Sequence, residues 1–155
     1  MSLVEVLYFI IPAALVYAAP LIYTGLGTVL SERAGVVNIG AEGIMIIGAF
    51  SAIVFNLLTV ETFASVTPWL AILVAMLVGA VFSLFLAVPA ISLRSDQTVT
   101  GVALNLLGLA VALFLTKMIF DGKGQTDYIS ERITKEDIPV LEHIPVLGPL
   151  FFENV

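Results

Sequence analysis

Residues 31–48 read SERAGVVNIGAEGIMIIG, with two carboxylates, an arginine and an asparagine among four glycines, set between two long apolar runs. Polar groups in such company are costly unless they are hydrogen-bonded or line a wet cavity. Asn38 and Glu42 are four residues apart and share a face wherever the segment turns helical. Glycines at 35, 40, 43 and 48 permit left-handed or closely approached backbone. The chemistry on offer is recognition of a small polar solute by a broken or re-entrant segment near 31–43. The plainer alternative is an interfacial loop. There Glu32 and Arg33 stay hydrated, and Glu42 favours the start of the next helix through its dipole.

A second stripe lies at Thr98, Gly101, Asn105, Gly108 and Ala112, recurring at three- and four-residue steps along one side of a helix. The Asn105 amide either joins two helices or meets a polar solute in a cavity, and one helix does not decide between these. Ala75, Gly79, Ser83 and Ala87 form a ridge of small residues at four-residue spacing, read as a helix-packing face.

Reactive constellations are missing from the sequence. It has no cysteine and one histidine, His143, so thiolate or multi-histidine metal sites cannot be built. Glycines 25 and 27 lack the continuing spacing of a dinucleotide fingerprint, and GKGQ at 122–125 lacks both P-loop spacing and its Ser or Thr. No catalytic residue, metal site or nucleotide site is expected on this chain.

The elements that must position these residues follow from hydropathy. Of 155 residues, 60% are hydrophobic and 12% charged, with mean hydropathy +1.12, which excludes an ordinary soluble domain. A net charge of −6 with six basic residues excludes a nucleic-acid surface. Only five charges fall in residues 1–93. The pattern predicts an all-α, multi-pass transmembrane bundle in a single domain, with membrane helices at about 4–30, 43–60, 69–93 and 99–120. The first apolar run has no basic flank and is longer than a signal-peptide core, so it is read as a membrane helix, kinked near Pro20. Trp69 reads as an interfacial anchor. Residues 121–143 carry nine charges and are expected as an acidic extracytoplasmic loop, followed by a short re-entrant or interfacial element at 144–152. Arg33 and Arg94 place the first and third loops in the cytoplasm and the N-terminus outside.

LSERAGVVNIGAEGIMIIGAF at 30–50, preceded by Ala19-Pro20-Leu21 and followed by LRSDQTVTGVALNLL at 93–107, resembles the permease subunits of bacterial ABC importers. Within them it is most similar to the nucleoside-type branch, related to ribose and branched-chain amino-acid permeases. The resemblance runs from about residue 10 to the end, including IPVLGPLFF at 144–152. It implies a plasma-membrane transport subunit rather than an enzyme. Its implied partners are a second permease, a cytoplasmic ATPase that carries ATP and Mg, an extracytoplasmic substrate-binding lipoprotein and the bilayer. It also implies a substrate-pathway role for Asn38, Glu42 and Asn105 and a cytoplasmic-loop position for Asp96 and Gln97, to which the residue reading adds Gly101 and Thr98 of the stripe as pathway residues and Glu32, Arg33 and Arg94 as cytoplasmic-loop residues. Family members are much longer, so the sequence is expected to match their N-terminal half. Sister readings are a sugar or branched-chain amino-acid importer, and a membrane scaffold that pairs with a full-length permease without transport of its own.

Overall fold

The computed structural model describes residues 3–131 and residue 133. The element near 144–152 and the last part of the acidic segment lie outside the described residues. The chain divides into two compact units, Met1–Gly25 with Ile133–Val155, and Leu26–Arg132. Among the described residues every regular element is helical: α1 (Leu3–Arg33), α2 (Ala41–Phe63), α3 (Thr67–Ala87) and α4 (Gln97–Ile119). At about 1.5 Å per residue each is long enough to cross a hydrocarbon core of roughly 30 Å.

Helix α1 runs unbroken through Pro12 and Pro20. Leu7, Ile10, Tyr17, Leu21, Tyr23 and Leu26 are all exposed. Apolar side chains facing out in every direction are stable only where the surroundings are apolar too. The helix is stopped by Gly35 at φ +88. The Val36 N–H donates to the Ser31 carbonyl at 3.0 Å and the Gly35 N–H to that of Glu32 at 2.9 Å, which closes the last turn and satisfies carbonyls the helix would otherwise leave open.

Residues 41–92 form one apolar stretch of 52 residues, far too long to cross a bilayer as a single straight helix. It folds back on itself. Ala64 takes φ +43, a 3₁₀ turn spans Ala64–Val66, and Pro68 sits in the first turn of α3, where its missing N–H costs nothing. Helices α2 and α3 are antiparallel. A Cβ on Gly79 would lie 3.6 Å from Ile44 Cγ2, and one on Gly48 would lie 3.5 Å from the Ala75 carbonyl oxygen. The expected 18-residue second span is a 23-residue helix, and among the described residues α1, α4 and both arms of the hairpin are each of crossing length.

The third helix was expected to run to residue 93, but its α-helical part ends at Ala87 and a π turn follows at Val88–Ser92. Pro89 cannot donate to the carbonyl four residues back, and the ring crowds that turn, so the chain widens there. Bonds from Leu93 N–H to Val88 at 3.2 Å and from Ser95 N–H to Pro89 at 3.0 Å close it. Helix α4 starts cleanly at Asp96, whose carboxylate accepts from the Thr98 and Val99 N–H groups at 2.8 and 3.1 Å. It ends with Lys117 in the last turn and Asp121 at φ +50, where the Gly122 N–H donates to the Lys117 carbonyl at 2.8 Å.

Helix α2 packs against both α3 and α4. Its small and apolar residues Gly43, Ile47 and Gly48 are buried, opposite Gly101, Leu104, Gly108 and Ala112 of α4 and Ala71 and Gly79 of α3. Lipid tails are as apolar as leucine, so such a seam is held by close van der Waals approach and hydrogen bonds rather than by escape from water.

Candidate functional site

The segment predicted to be broken is a loop of seven residues, 34–40, between α1 and α2, and it is laid against the start of α4. Two amide side chains hold it. Gln97 accepts from the Val37 N–H at 2.7 Å and donates to the Gly35 carbonyl at 3.5 Å. Asn105 donates to the Ile39 carbonyl at 2.8 Å and accepts from the Gly43 N–H at 2.7 Å.

The Asn105 contact has a clear physical reason. The first N–H groups of any helix have no partner within it. The residue capping α2 is Gly40, which has no side chain to offer. An amide from α4 supplies the missing acceptor instead, reaching Gly43, the third residue of α2. Glu42 in that same first turn adds a favourable negative charge at the positive end of the dipole, and it is solvent-exposed.

Such a cap works only if the two backbones are very close, and the glycines permit this. A Cβ on Gly43 would fall 2.6 Å from the Leu104 carbonyl oxygen and 2.8 Å from Asn105 Cα. On Gly108 it would fall 2.7 Å from the Gly43 carbonyl oxygen, and on Gly101 it would fall 2.9 Å from the Gly40 nitrogen. At all three positions the obstructing atoms are mostly backbone and cannot swing aside. The stripe on α4 is thus the surface against which the loop and α2 are built.

Of the residues marked from the sequence, Asn38, Glu42, Gly101, Gln97 and Asn105 come together at this junction. Both Asn105 polar groups are committed to backbone, which is the helix-joining alternative. Asn38 is half-buried, and its Oδ1 is buried with no hydrogen-bond partner. Thr98 is exposed, and its N–H is taken up in the Asp96 cap. Glu32, Arg33, Arg94 and Asp96 are exposed, and Arg94 adopts φ +52 in the turn before α4. On the α3 ridge Ala75 and Gly79 face α2, while Ser83 and Ala87 are half-buried and the Ser83 hydroxyl returns to the Ala80 carbonyl at 2.7 Å.

Three buried polar residues escaped sequence reasoning, Asn56 on α2, Thr67 at the start of α3 and Thr116 on α4. Their signal was polar side chains inside apolar runs, with Thr67 just before Pro68. Hydropathy averaging passes over all three. The described residues hold no cluster of His, Cys, Asp and Glu that could bind a metal ion.

Long helices with apolar outer faces, joined through neutral amides and glycine contacts, define a multi-pass membrane protein. Residues 10–140 match the family described as branched-chain amino acid transport system / permease component, and the chain belongs to that family. That family is one of transport-system permease components. It is 56% identical over its whole length to the guanosine ABC transporter permease protein NupQ of Bacillus subtilis, covering 48% of that protein. It is 47% identical, over 98% of its length, to the nucleoside ABC transporter permease protein NupC of Lactococcus lactis subsp. cremoris, covering 47% of it. The chain spans about half the length of the curated relatives it matches. No solved structure matches it.

Proposed function

We propose that this chain is part of the permease of an ATP-driven nucleoside importer. The observation that carries the reading is the identity, along the full chain, to two permeases named for guanosine and nucleoside transport. The junction between α2 and α4 agrees with it chemically. Its polar inventory is dominated by neutral amides, and ribose hydroxyls and base amides leaving water are best met by groups of that kind. Asn38 and Glu42 are the pathway candidates, since neither side-chain oxygen is used in a described hydrogen bond. Gly101 and Asn105 hold the loop that carries Asn38 and the first turn of α2 that carries Glu42, and Thr98 lies beside them at the start of α4.

The working partners in this reading are a second permease, an ATPase that binds ATP and Mg on the cytoplasmic face, and an extracytoplasmic binding lipoprotein. The N-terminus lies outside. The loop at 34–40 and the start of α4 are at one end of the bundle, joined by the Val37–Gln97 bond, and that end carries Arg33 and Arg94. Basic residues at one end mark the cytoplasmic side.

The test is uptake of labelled guanosine by cells in which the transporter containing this chain is the only nucleoside route, with unlabelled nucleosides, ribose and leucine as competitors. Competition by nucleosides alone is the expected result. Competition by ribose or leucine, with nucleosides inert, overturns the substrate assignment. Failure of uptake, with the abundance of the companion permease complex changing when this chain is removed, favours the scaffold reading.

A further inference from the structure

One row of α4 positions meets the α1–α2 connection in order. Gln97, Gly101 and Asn105 are four residues apart, so they stand one above the other on the same side of the helix. Gln97 accepts from the Val37 N–H at 2.7 Å and donates to the Gly35 carbonyl at 3.5 Å. A Cβ on Gly101 would strike Ile39 Cβ and the Gly40 nitrogen, both at 2.9 Å. Asn105 donates to the Ile39 carbonyl at 2.8 Å. The connection therefore runs along this row. It is tied by Gln97 just before Asn38 and by Asn105 just after it, and it lies against bare backbone at Gly101.

Asn38 stands between the two ties, and its own side-chain oxygen ties nothing, since Oδ1 is enclosed and has no hydrogen-bond partner. Such a side chain is placed by the backbone that carries it. Here that backbone, residues 36–38, has no regular structure to hold it. An N–H outside helix or sheet needs a side chain or water as its partner, and at Val37 the partner is Gln97. Gln97 is free for this because Asp96 already accepts from the first N–H groups of α4. A glutamine amide also accepts and donates at once, and leucine in its place could do neither.

We propose that Gln97 is a positioning residue for transport: it sets where Asn38 stands on the path of the solute, by holding the Val37 N–H while Asn105 holds the Ile39 carbonyl. The proposal rests on the reading of Asn38 as a pathway residue. Gln97 itself touches no solute and acts only through Asn38. Loss of the tie therefore weakens the hold on the solute without removing the transporter, and it matters little once the Asn38 side chain is gone.

The test is a double-mutant cycle of Gln97→Leu and Asn38→Ala, in cells whose only nucleoside route is the transporter containing this chain, with assembled complex quantified beside uptake. Gln97→Leu alone is expected to raise KM for guanosine roughly 3–10-fold, the worth of about one hydrogen bond, with kcat per complex little changed. Gln97→Glu keeps the oxygen that accepts from Val37 and should recover most of the loss. In the Asn38→Ala background the same Gln97→Leu change should move KM by less than about twofold. An undiminished rise there overturns the proposal, because Gln97 then acts by another route. A fall in complex at unchanged KM overturns it too, marking a role in assembly alone. If instead Asn38→Ala transports like the parent, the pathway reading of Asn38 fails and takes the proposal with it. Hydrogen exchange at Val37 in the purified transporter reads the tie without transport. Gln97→Leu should speed it several-fold, and unchanged exchange overturns the proposal by itself. A parent that takes up no guanosine refutes the nucleoside reading alone, and the cycle is then read with labelled ribose or leucine, whichever is transported.

Discussion

Replacing Gly108 by alanine tests the backbone contact between α2 and α4 with one methyl group. The new Cβ would stand 2.7 Å from the Gly43 carbonyl oxygen and 2.8 Å from its Cα, against an ordinary contact of 3.4 Å or more. The helices must then separate by about 0.7 Å, the difference between those values, or α4 must rotate. Either response stretches the 2.7 Å bond from the Gly43 N–H to Asn105. Overpacking of this sort costs about 1–3 kcal/mol, and rigid backbone on both sides places it toward the upper end. Against this stands the helix propensity that alanine gains over glycine, about 1 kcal/mol, leaving a net loss of about 2 kcal/mol.

The control is Gly79→Ala on α3, where the nearest neighbour is Ile44 Cγ2 at 3.6 Å, an ordinary contact. There the propensity gain is nearly uncompensated, and stability stays level or rises by up to about 1 kcal/mol. The substitution is chemically identical at the two sites, so the gap of about 2–3 kcal/mol reports the packing alone. In thermal unfolding of the purified transporter it corresponds to a midpoint difference of roughly 5–10 °C. Equal midpoints for the two variants would show that α2 and α4 do not approach through their glycines, and the account of the junction would have to be abandoned.

Three further outcomes are expected. Asn105→Leu removes both bonds that cap α2 and hold Ile39, lowering stability by about 1–3 kcal/mol in the same unfolding assay and slowing uptake; unchanged stability would show that the cap is dispensable. Asp96→Ala deletes the acceptor for Thr98 and Val99 and costs about 1 kcal/mol, with Asp96→Asn close to the parent, and equal losses in both variants would point to the charge instead. The chain has no cysteine, so Glu32→Cys and Gln125→Cys give single labelling sites. A membrane-impermeant thiol reagent applied to intact cells should label the second and spare the first, and the reverse pattern would invert the orientation.

The class of the protein was determined by hydropathy alone, while the helix bounds were not, since α2 runs beyond 43–60 and α3 passes into a π turn before residue 93. Four apolar runs separated by Ser31–Gly40, the Glu61–Pro68 turn and Arg94–Asp96 leave few ways to satisfy backbone groups except as helices, because hydrocarbon offers no competing partner. Gly35 as a stop and Asp96 as a start were equally local, being set by backbone conformation and short side-chain reach. The role of Asn105 was not legible, because its two partners lie 62 and 66 residues away and sequence spacing carries no information about them. The same holds for Gly101 and Gly108, which on one helix could equally have lined a cavity. Only the placement of α2 showed that its bare N-terminus needed an outside acceptor and that glycine backbones had to meet there. Asn56 and Thr67 were hidden for a related reason. Hydropathy averages over neighbours, whereas the cost of an unsatisfied buried group depends on what the fold brings around it.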